Sequence, residues 1–248
     1  PHDGSLAALG SRLAQAAIIL LSMAGGISLI AYHRVFRDGW RTIVKDHQLR
    51  GFLIAGLLTT LLMAGSLWFQ SGFEWPRALG HGALNALSAQ STAGFASLDT
   101  SQLDAASKLV LIFSMFLGGS IGSTAGGIKI LRLLILMRLL YLSIQRAGMP
   151  KNAVAEARLG GRRLEADEIQ NALSLILVFI VFIVVSWLPF VVMGHNPLDS
   201  LFEVVSAIGT AGISAGITTP ALHPFLKAIL CVDMLLGRLE IFAWLILV

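Results

Sequence analysis

The sequence predicts an all-α integral membrane protein made of repeated units, each carrying a re-entrant half-helix, with one inner helix broken near its middle. Three observations predict it. Of 248 residues, 56% are hydrophobic and 13% charged, and the mean hydropathy is +0.79; soluble domains average about 25% charged. A phrase, S-A-x-x-T-A-G, occurs at Ser88–Gly94 and again 118 residues later at Ser206–Gly212. Finally, the ten residues Gly118–Gly127 contain five glycines inside an otherwise apolar, helix-like arm.

Along the chain, apolar stretches cover Leu13–Tyr32, Gly51–Phe69, Leu109–Leu117, Ile128–Leu142, Ala172–Met193 and Pro224–Val248. Several approach the roughly 20 residues that span a bilayer core as a helix. Each copy of the repeated phrase is followed, 24 or 25 residues after its last glycine, by a second shared phrase, Met115-Phe116-Leu117-Gly118 and Met234-Leu235-Leu236-Gly237. The unit is therefore duplicated. Read as arm, short descending helix, narrow loop and second arm, the copies share one orientation, as parallel repeats around an axis along the membrane normal do. Gly25-Gly26-Ile27-Ser28 resembles Gly118-Gly119-Ser120, so the first apolar run reads as the last arm of a preceding unit. Counting back 24 residues from Gly25 puts that unit's loop at or just before residue 1. The opening Pro1-His2-Asp3 carries no signal-peptide pattern and reads as the interior of a longer protein.

The formal net charge is +4, but its distribution argues against a nucleic-acid partner. Thirteen of the 18 basic residues fall in two segments, one holding Arg34, Arg37, Arg41, Lys45 and Arg50, the other Lys129, Arg132, Arg138, Arg146, Lys151, Arg158, Arg162 and Arg163. The positive-inside rule places both in the cytoplasm. The connections near 71–87, 97–108 and 194–223, with Trp68, Trp75 and Trp187 close by, are the expected outer side. Lys151–Gln170, centred on Gly160-Gly161, is either a hairpin between short strands or a solvated linker. Cys231 is the only cysteine, and no disulfide framework follows.

The repeated phrase carries the chemistry. A cation stripped of water in a membrane needs several oxygen ligands at once, and unpaired backbone carbonyls are tolerated there only where they line a cavity or are buried in protein. Gly94 and Gly212 permit positive φ, which turns successive carbonyls toward one axis. Thr92 and Thr210 add hydroxyl or carbonyl oxygens, and Ser91, Ala93, Gly209 and Ala211 complete two narrow stretches. The expected potassium ligands are Thr92, Gly94, Thr210 and Gly212. The short helices ahead of them, about Arg77–Gln90 and Pro197–Ile208, aim C-terminal partial negative charge at a cation. The plainer alternative is a small-residue helix-packing site; two in-register copies favour ion permeation.

Gly118, Gly119, Ser120, Gly122, Ser123, Thr124, Gly126 and Gly127 form a stretch that should unwind, since each interior glycine costs a helix about 1 kcal/mol relative to alanine. A mobile gating loop under the filter is one reading and a tightly packed kink the other. When Met234 is laid on Met115, Arg238 aligns with Gly119. At that depth it is expected to face the bundle interior or water, repelling cations, donating to the unwound loop, or pairing with Asp233 or Glu240. Lys129 is placed with the gate, with snorkelling to the cytoplasmic edge as its plainer role. The match of Gly118–Gly122 to the hydrolase pattern G-x-S-x-G lacks a strand-turn-helix context and a histidine near Ser120. A secondary transporter of another small solute remains the alternative function, and would need a wide polar cavity and coupling carboxylates.

Phe116–Lys129, together with Met234–Ile241, resembles the Trk/Ktr/HKT superfamily of potassium transporters, within it the bacterial TrkH/TrkG type. The resemblance implies four membrane-pore-membrane units around one path for potassium uptake across the cell membrane, with one filter glycine per unit, here Gly94 and Gly212. It also implies a gating loop in the third unit, matching Gly118–Gly127, and an arginine in the last arm, matching Arg238. On that basis residues 1–32 are the last arm of the second unit, 33–50 a cytoplasmic connection, 51–145 the third unit, 146–168 a cytoplasmic hairpin and 169–248 the fourth unit. No cofactor is expected, potassium being the substrate. The partners implied are membrane lipid, a second copy of the protein, a cytoplasmic nucleotide-binding ring of the TrkA or KtrA kind, and the missing N-terminal units.

Overall fold

Among the described residues, two helices are long and apolar enough to cross a membrane, and one pair of helices meets the same test together with a 90° bend between its halves. The structure is a computed structural model that describes residues 11–39, 46–148 and 157–238. Arg41, Lys45, Lys151, Glu240 and the loop expected at residue 1 lie outside the described residues. In order come α1 (Arg12–Gly25), α2 (Leu29–Asp38), α3 (His47–Gln70), α4 (Trp75–Gln90), a 3-10 turn (Thr100–Gln102), α5 (Ala105–Phe116), α6 (Ile130–Ala147), β1 (Arg158–Leu159), β2 (Arg162–Arg163), α7 (Ala166–Val192), α8 (Pro197–Ile208) and α9 (Pro224–Arg238). The expected all-α fold with re-entrant half-helices and a broken inner helix is present.

Caps explain where the helices start. Asp46 accepts from the amides of Gln48 and Leu49 to begin α3, and Asn196 from those of Leu198 and Asp199 to begin α8, with Pro197 in its first turn. Both are ordinary N-cap chemistry. Asp104 begins α5, accepting from the Ser107 amide and from the hydroxyls of Ser107 and Ser66. Burial pushes its carboxyl up, but these donors outweigh burial and hold it below the ordinary carboxylate range. The Lys151–Gln170 alternatives are decided by geometry: β1 and β2 pair antiparallel, Arg158 opposite Arg163, through Gly160 and Gly161 at φ 61° and 84°. Two successive positive φ values are what a two-residue type I′ turn needs.

α3 lies along α4 at close range, because small residues face each other. A Cβ added to Gly82 would stand 2.9 Å from the amide nitrogen of Ala64. The main core joins α3, α4, α5, α7, α8 and α9 through Met63, Leu111, Met115, Phe190, Phe202, Ile208 and Leu226, all fully buried. The long helices keep large apolar side chains outward, among them Leu53, Leu57 and Leu61 on α3 and Leu177, Val184 and Leu188 on α7. Such a surface suits lipid rather than water.

The two repeats are tied together on the side where α4 and α8 begin. Buried Lys108 of α5 donates to Asp199 in the first turn of α8 at 2.7 Å and to the carbonyl of Ser101 at 3.1 Å. Removing the lysine leaves a half-shielded carboxylate and an unmet carbonyl. Lys108→Met should therefore destabilise the full-length protein by about 1–3 kcal/mol. Adding Asp199→Asn should recover part of it, read as melting temperature in detergent; equal melting of all three proteins would exclude the clamp.

Candidate functional site

The two copies of the repeated phrase adopt one conformation. α4 and α8 stop at Gln90 and Ile208, and the next residues, Ser91 and Gly209, are still right-handed, with φ −76° and −74°. Thr92 and Thr210 are then left-handed, both at φ 54°. Their amides donate to the carbonyls of Ala89 and Ala207 at 3.2 and 3.0 Å, and those of Ala93 and Ala211 to Ser88 and Ser206 at 3.0 and 2.9 Å. This is a Schellman termination with threonine where glycine is usual. A β-branched residue there is a genuine outlier, costing about 1–3 kcal/mol. Gly94 and Gly212 follow at φ 78° and 76°. The sequence reading assigned positive φ to these glycines alone; the threonines share it.

Turning the chain this way strips it of internal partners. Among the described residues, none of the carbonyls of residues 91–94 or 209–212 accepts a hydrogen bond. Neither α4 nor α8 has a basic residue in its last turn, so helix-end partial negative charge adds to theirs. The loops also touch: a Cβ on Gly94 would lie 2.6 Å from the carbonyl oxygen of Ala211.

Each loop is braced from behind at matching positions. Nine residues before the glycine stands a buried polar side chain, Asn85 or Glu203, and it accepts from the amide three residues after the glycine. Ser97 N reaches Asn85 Oδ1 at 2.9 Å, and Ala215 N reaches Glu203 Oε1 at 2.9 Å. Sequence reasoning missed both. The signal was available, since the 118-residue offset that aligns the glycines also aligns Asn85 with Glu203.

The glycine-rich stretch interrupts the arm between α5 and α6 and folds into a closed loop. Its ends are held side by side by Gly118 N to Ile128 O (2.9 Å), Ile128 N to Phe116 O (3.0 Å) and Ile130 N to Gly119 O (3.1 Å). Its middle is pinned to the break between α1 and α2. Ser120 N donates to Gly26 O at 3.0 Å, the Thr124 amide and hydroxyl donate to Gly25 O at 3.2 and 3.0 Å, and Leu29 N donates to Gly122 O at 3.3 Å. Gln48 at the start of α3 accepts from Ile121 N at 3.1 Å. Its far end meets both repeated turns: Gly126 N donates to Thr92 Oγ1 at 3.2 Å, and a Cβ on Gly126 would collide with Gly209 O and Thr210 Oγ1. Gly122 and Gly127 have φ of 75° and 71°. Ser123 buries a hydroxyl without a partner, and Ser120 is 2% exposed with no histidine bonded to it.

Cations serve the loop's own carbonyls. Lys129, expected to snorkel outward, is instead 6% exposed and donates to Ala125 O at 2.6 Å and Ser123 O at 3.5 Å. Arg238 donates to Thr124 O at 3.3 Å. Of the three roles weighed for Arg238, the contact observed is the one to the loop. Asp233, for which the repeat offered no reason, accepts from Ser186 Oγ of α7 at 2.7 Å and leaves its second oxygen unpartnered. Cavities of about 470 Å³ and 330 Å³ adjoin this region, and Thr124, Thr210 and Arg238 line both. Ser91, Thr92 and Ala93 line the larger one.

Against known proteins, residues 5–248 match the sequence model of the TrkH family, described as cation transport protein. The chain belongs to this family. It is 33% identical over 161 residues to an uncharacterized cation transporter of Methanocaldococcus jannaschii, covering 65% of this chain and 34% of that one. It is 28% identical over 235 residues to the Trk system potassium uptake protein TrkG of Escherichia coli, covering 91% and 48%. The crystal structure of the potassium transporter TrkH from Vibrio parahaemolyticus superposes with a TM-score of 0.89 at 24% identity, over all of this chain and 54% of the other; that likeness shows the fold. The chain spans about half the length of most of these relatives, and a third of the archaeal one.

The contact at Gly126 makes a direct test. Gly126→Ala must push the loop off the second turn, and should lower the melting temperature of the full-length protein by several degrees, about 1–3 kcal/mol. Gly80→Ala, on α4 with nothing within 4 Å of its Cβ, should not.

Proposed function

We propose that this chain supplies two of the four arcs of a potassium-selective filter, together with the loop that gates it, in a protein that takes up potassium across the cell membrane. One observation carries the reading: the eight carbonyls of two matching turns, residues 91–94 and 209–212, accept no hydrogen bond from the described residues and lie where two loops meet beside a cavity. Bare carbonyls inside a membrane cost several kcal/mol each unless something replaces water on them. A dehydrated potassium ion is a partner they fit. The relatives named as potassium uptake proteins support the same cargo.

In this reading Ser91, Thr92, Ala93, Gly94, Gly209, Thr210, Ala211 and Gly212 face the ion, and the remaining arcs come from the two further units that the resemblance implies. Residues 118–127 stand under the filter, and leaving that place would break the bonds from Gly126 to Thr92 and from Arg238 to Thr124. Lys129 and Arg238 put two fixed positive charges below the filter, which resist cation passage while the loop is in place. A second copy of the protein and a cytoplasmic nucleotide-binding ring complete the assembly, the ring docking on the basic face.

Two outcomes test this in the complete parent protein. Gly212 has φ 76° and open space around its Cβ, whereas a Cβ on Gly94 meets Ala211 O. Gly212→Ser should therefore lower potassium-over-sodium discrimination through backbone strain alone, by about tenfold for each 1.4 kcal/mol. Gly94→Ser should lose more; unchanged ion ratios in a flux assay for both would exclude the filter. Arg238→Ala should raise cation flux severalfold if the arginine closes the path, and lower flux from normally folded protein would assign it to structure instead.

A further inference from the structure

The two filter turns are braced alike in shape but not in charge. In the first, Asn85 accepts from Ser97 N and donates its amide hydrogens to Ser97 Oγ and the His81 carbonyl at 3.0 and 2.9 Å. In the second, Glu203 is 4% exposed and only accepts. Its Oε1 takes the Ser214 hydroxyl at 2.5 Å and the amides of Ala215, Ile217 and Thr218 at 2.9, 3.2 and 3.4 Å; its Oε2 takes the Thr218 hydroxyl at 2.7 Å. Ser214 Oγ itself accepts from Gly216 N at 3.0 Å, so its hydrogen is free to point at the carboxylate. The cradle is built for an anion.

We propose that Glu203 is an electrostatic positioning residue for the transported cation: an ionised carboxylate sealed behind the second filter turn that raises the affinity of the filter for potassium, beyond holding the turn's shape. The inference rests on the potassium reading above. Two facts separate charge from shape. Asn85 shows that a neutral amide suffices to hold the equivalent amide in the first unit. Among the described residues Glu203 has no basic side chain within ion-pair distance, whereas the nearby acid at the start of the same helix, Asp199, is matched by Lys108. Burying a charge is expensive, and an ionisable side chain within a membrane-spanning fold characteristically marks an ion or substrate pathway. In a low-dielectric wall its field reaches the filter with little screening. Main-chain donors spread that charge along residues 214–218, which follow directly on Gly212.

Glutamine tests charge at constant shape. Its oxygen can take the four donors that now converge on Oε1, and its amide can face Thr218 Oγ1, which rotates from donor to acceptor. Glu203→Gln is made in the complete parent protein, reconstituted in liposomes, and uptake of radioactive rubidium is measured against concentration. Should unsubstituted protein take up no rubidium, the proposed function fails, independently of Glu203. If it does take up rubidium, Glu203→Gln at equal abundance and melting temperature should raise KM about three- to tenfold with a maximal rate near that of the parent. An unchanged KM overturns the inference, as does a fall in maximal rate alone. If the glutamine variant does not accumulate, Glu203→Asp and Glu203→Asn are compared, since they share a shorter arm and differ in charge. A higher KM in the asparagine protein supports the role, and equal values, or failure of every neutral variant to accumulate, assign Glu203 to structure.

Discussion

A backbone carbonyl withdrawn from water has to be answered by something, and in the two repeated turns eight of them accept no hydrogen bond from the described residues. That constraint organises everything around the two turns. An ordinary helix end would hide its last carbonyls in water or under a basic side chain; α4 and α8 end mid-fold with neither. Instead each helix ends on a strained threonine, and the strain persists only because the surroundings over-determine it. The determinants are specific. Two Schellman bonds close each turn, a buried polar side chain fixes the segment that leaves it, and α3 holds the end of α4 through the bond from Gln90 Nε2 to Phe52 O at 2.9 Å.

The repeat is most informative where it breaks. α5 stops at Phe116 and the chain spends thirteen residues, 117–129, before α6 resumes, whereas α9 runs unbroken through the aligned position to Arg238. Among the described residues the second copy of the repeat has no such loop; it sends a side chain to the loop of the first. A Cβ on Gly237 would collide with the Ile208 carbonyl, so α9 approaches the end of α8 as closely as backbone allows, and that approach delivers Arg238 to Thr124. The break between α1 and α2 supplies the other wall, since Gly25 and Gly26 give their carbonyls to the loop. Three units thus meet at one ten-residue segment.

Much of this was legible in the sequence because it is periodic or compositional. Apolar runs gave the arms, the duplicated phrase gave the turns, and five glycines in ten residues gave the break. What was not legible is long-range pairing. Lys129 looked like a snorkelling residue because a lysine after an apolar break usually is one, and nothing local says that the carbonyls of Ser123 and Ala125 fold back over it. Asp233 shows no partner nearby in sequence because its partner, Ser186, is 47 residues away on α7, the other arm of the same unit. Glu203 was passed over for a different reason: the repeat was recognised by the residues its two copies share, and at this position they differ, Asn85 in one and Glu203 in the other. Positive φ at a threonine is likewise invisible, since propensity argues against it and only tertiary constraint imposes it.

The filter and the gate can be set against each other in terms of the same chemical group. In the turns, the carbonyl oxygens of residues 91–94 and 209–212 accept nothing from the described residues. In the loop beneath, the oxygens of Ser123, Thr124 and Ala125 are taken by Lys129 and Arg238. On the proposed reading, a cation passing down from the first set reaches a second set already neutralised by charges it cannot displace, because those charges are covalently part of the arms. The barrier is then the absence of a vacant ligand together with repulsion by two fixed charges. Moving the loop would have to do both things at once, separating Thr124 from Arg238 and carrying Lys129 with the carbonyls it serves. Lys129 sits on the same segment as its described acceptors and Arg238 on another helix, so of these two cation contacts the arginine's has to break, along with the bonds that tie the loop to Thr92, Gly25 and Gly26. On the proposed reading the bond between α9 and the loop is one of those that hold the closed state, made at an exposed edge while the charge within the loop is buried.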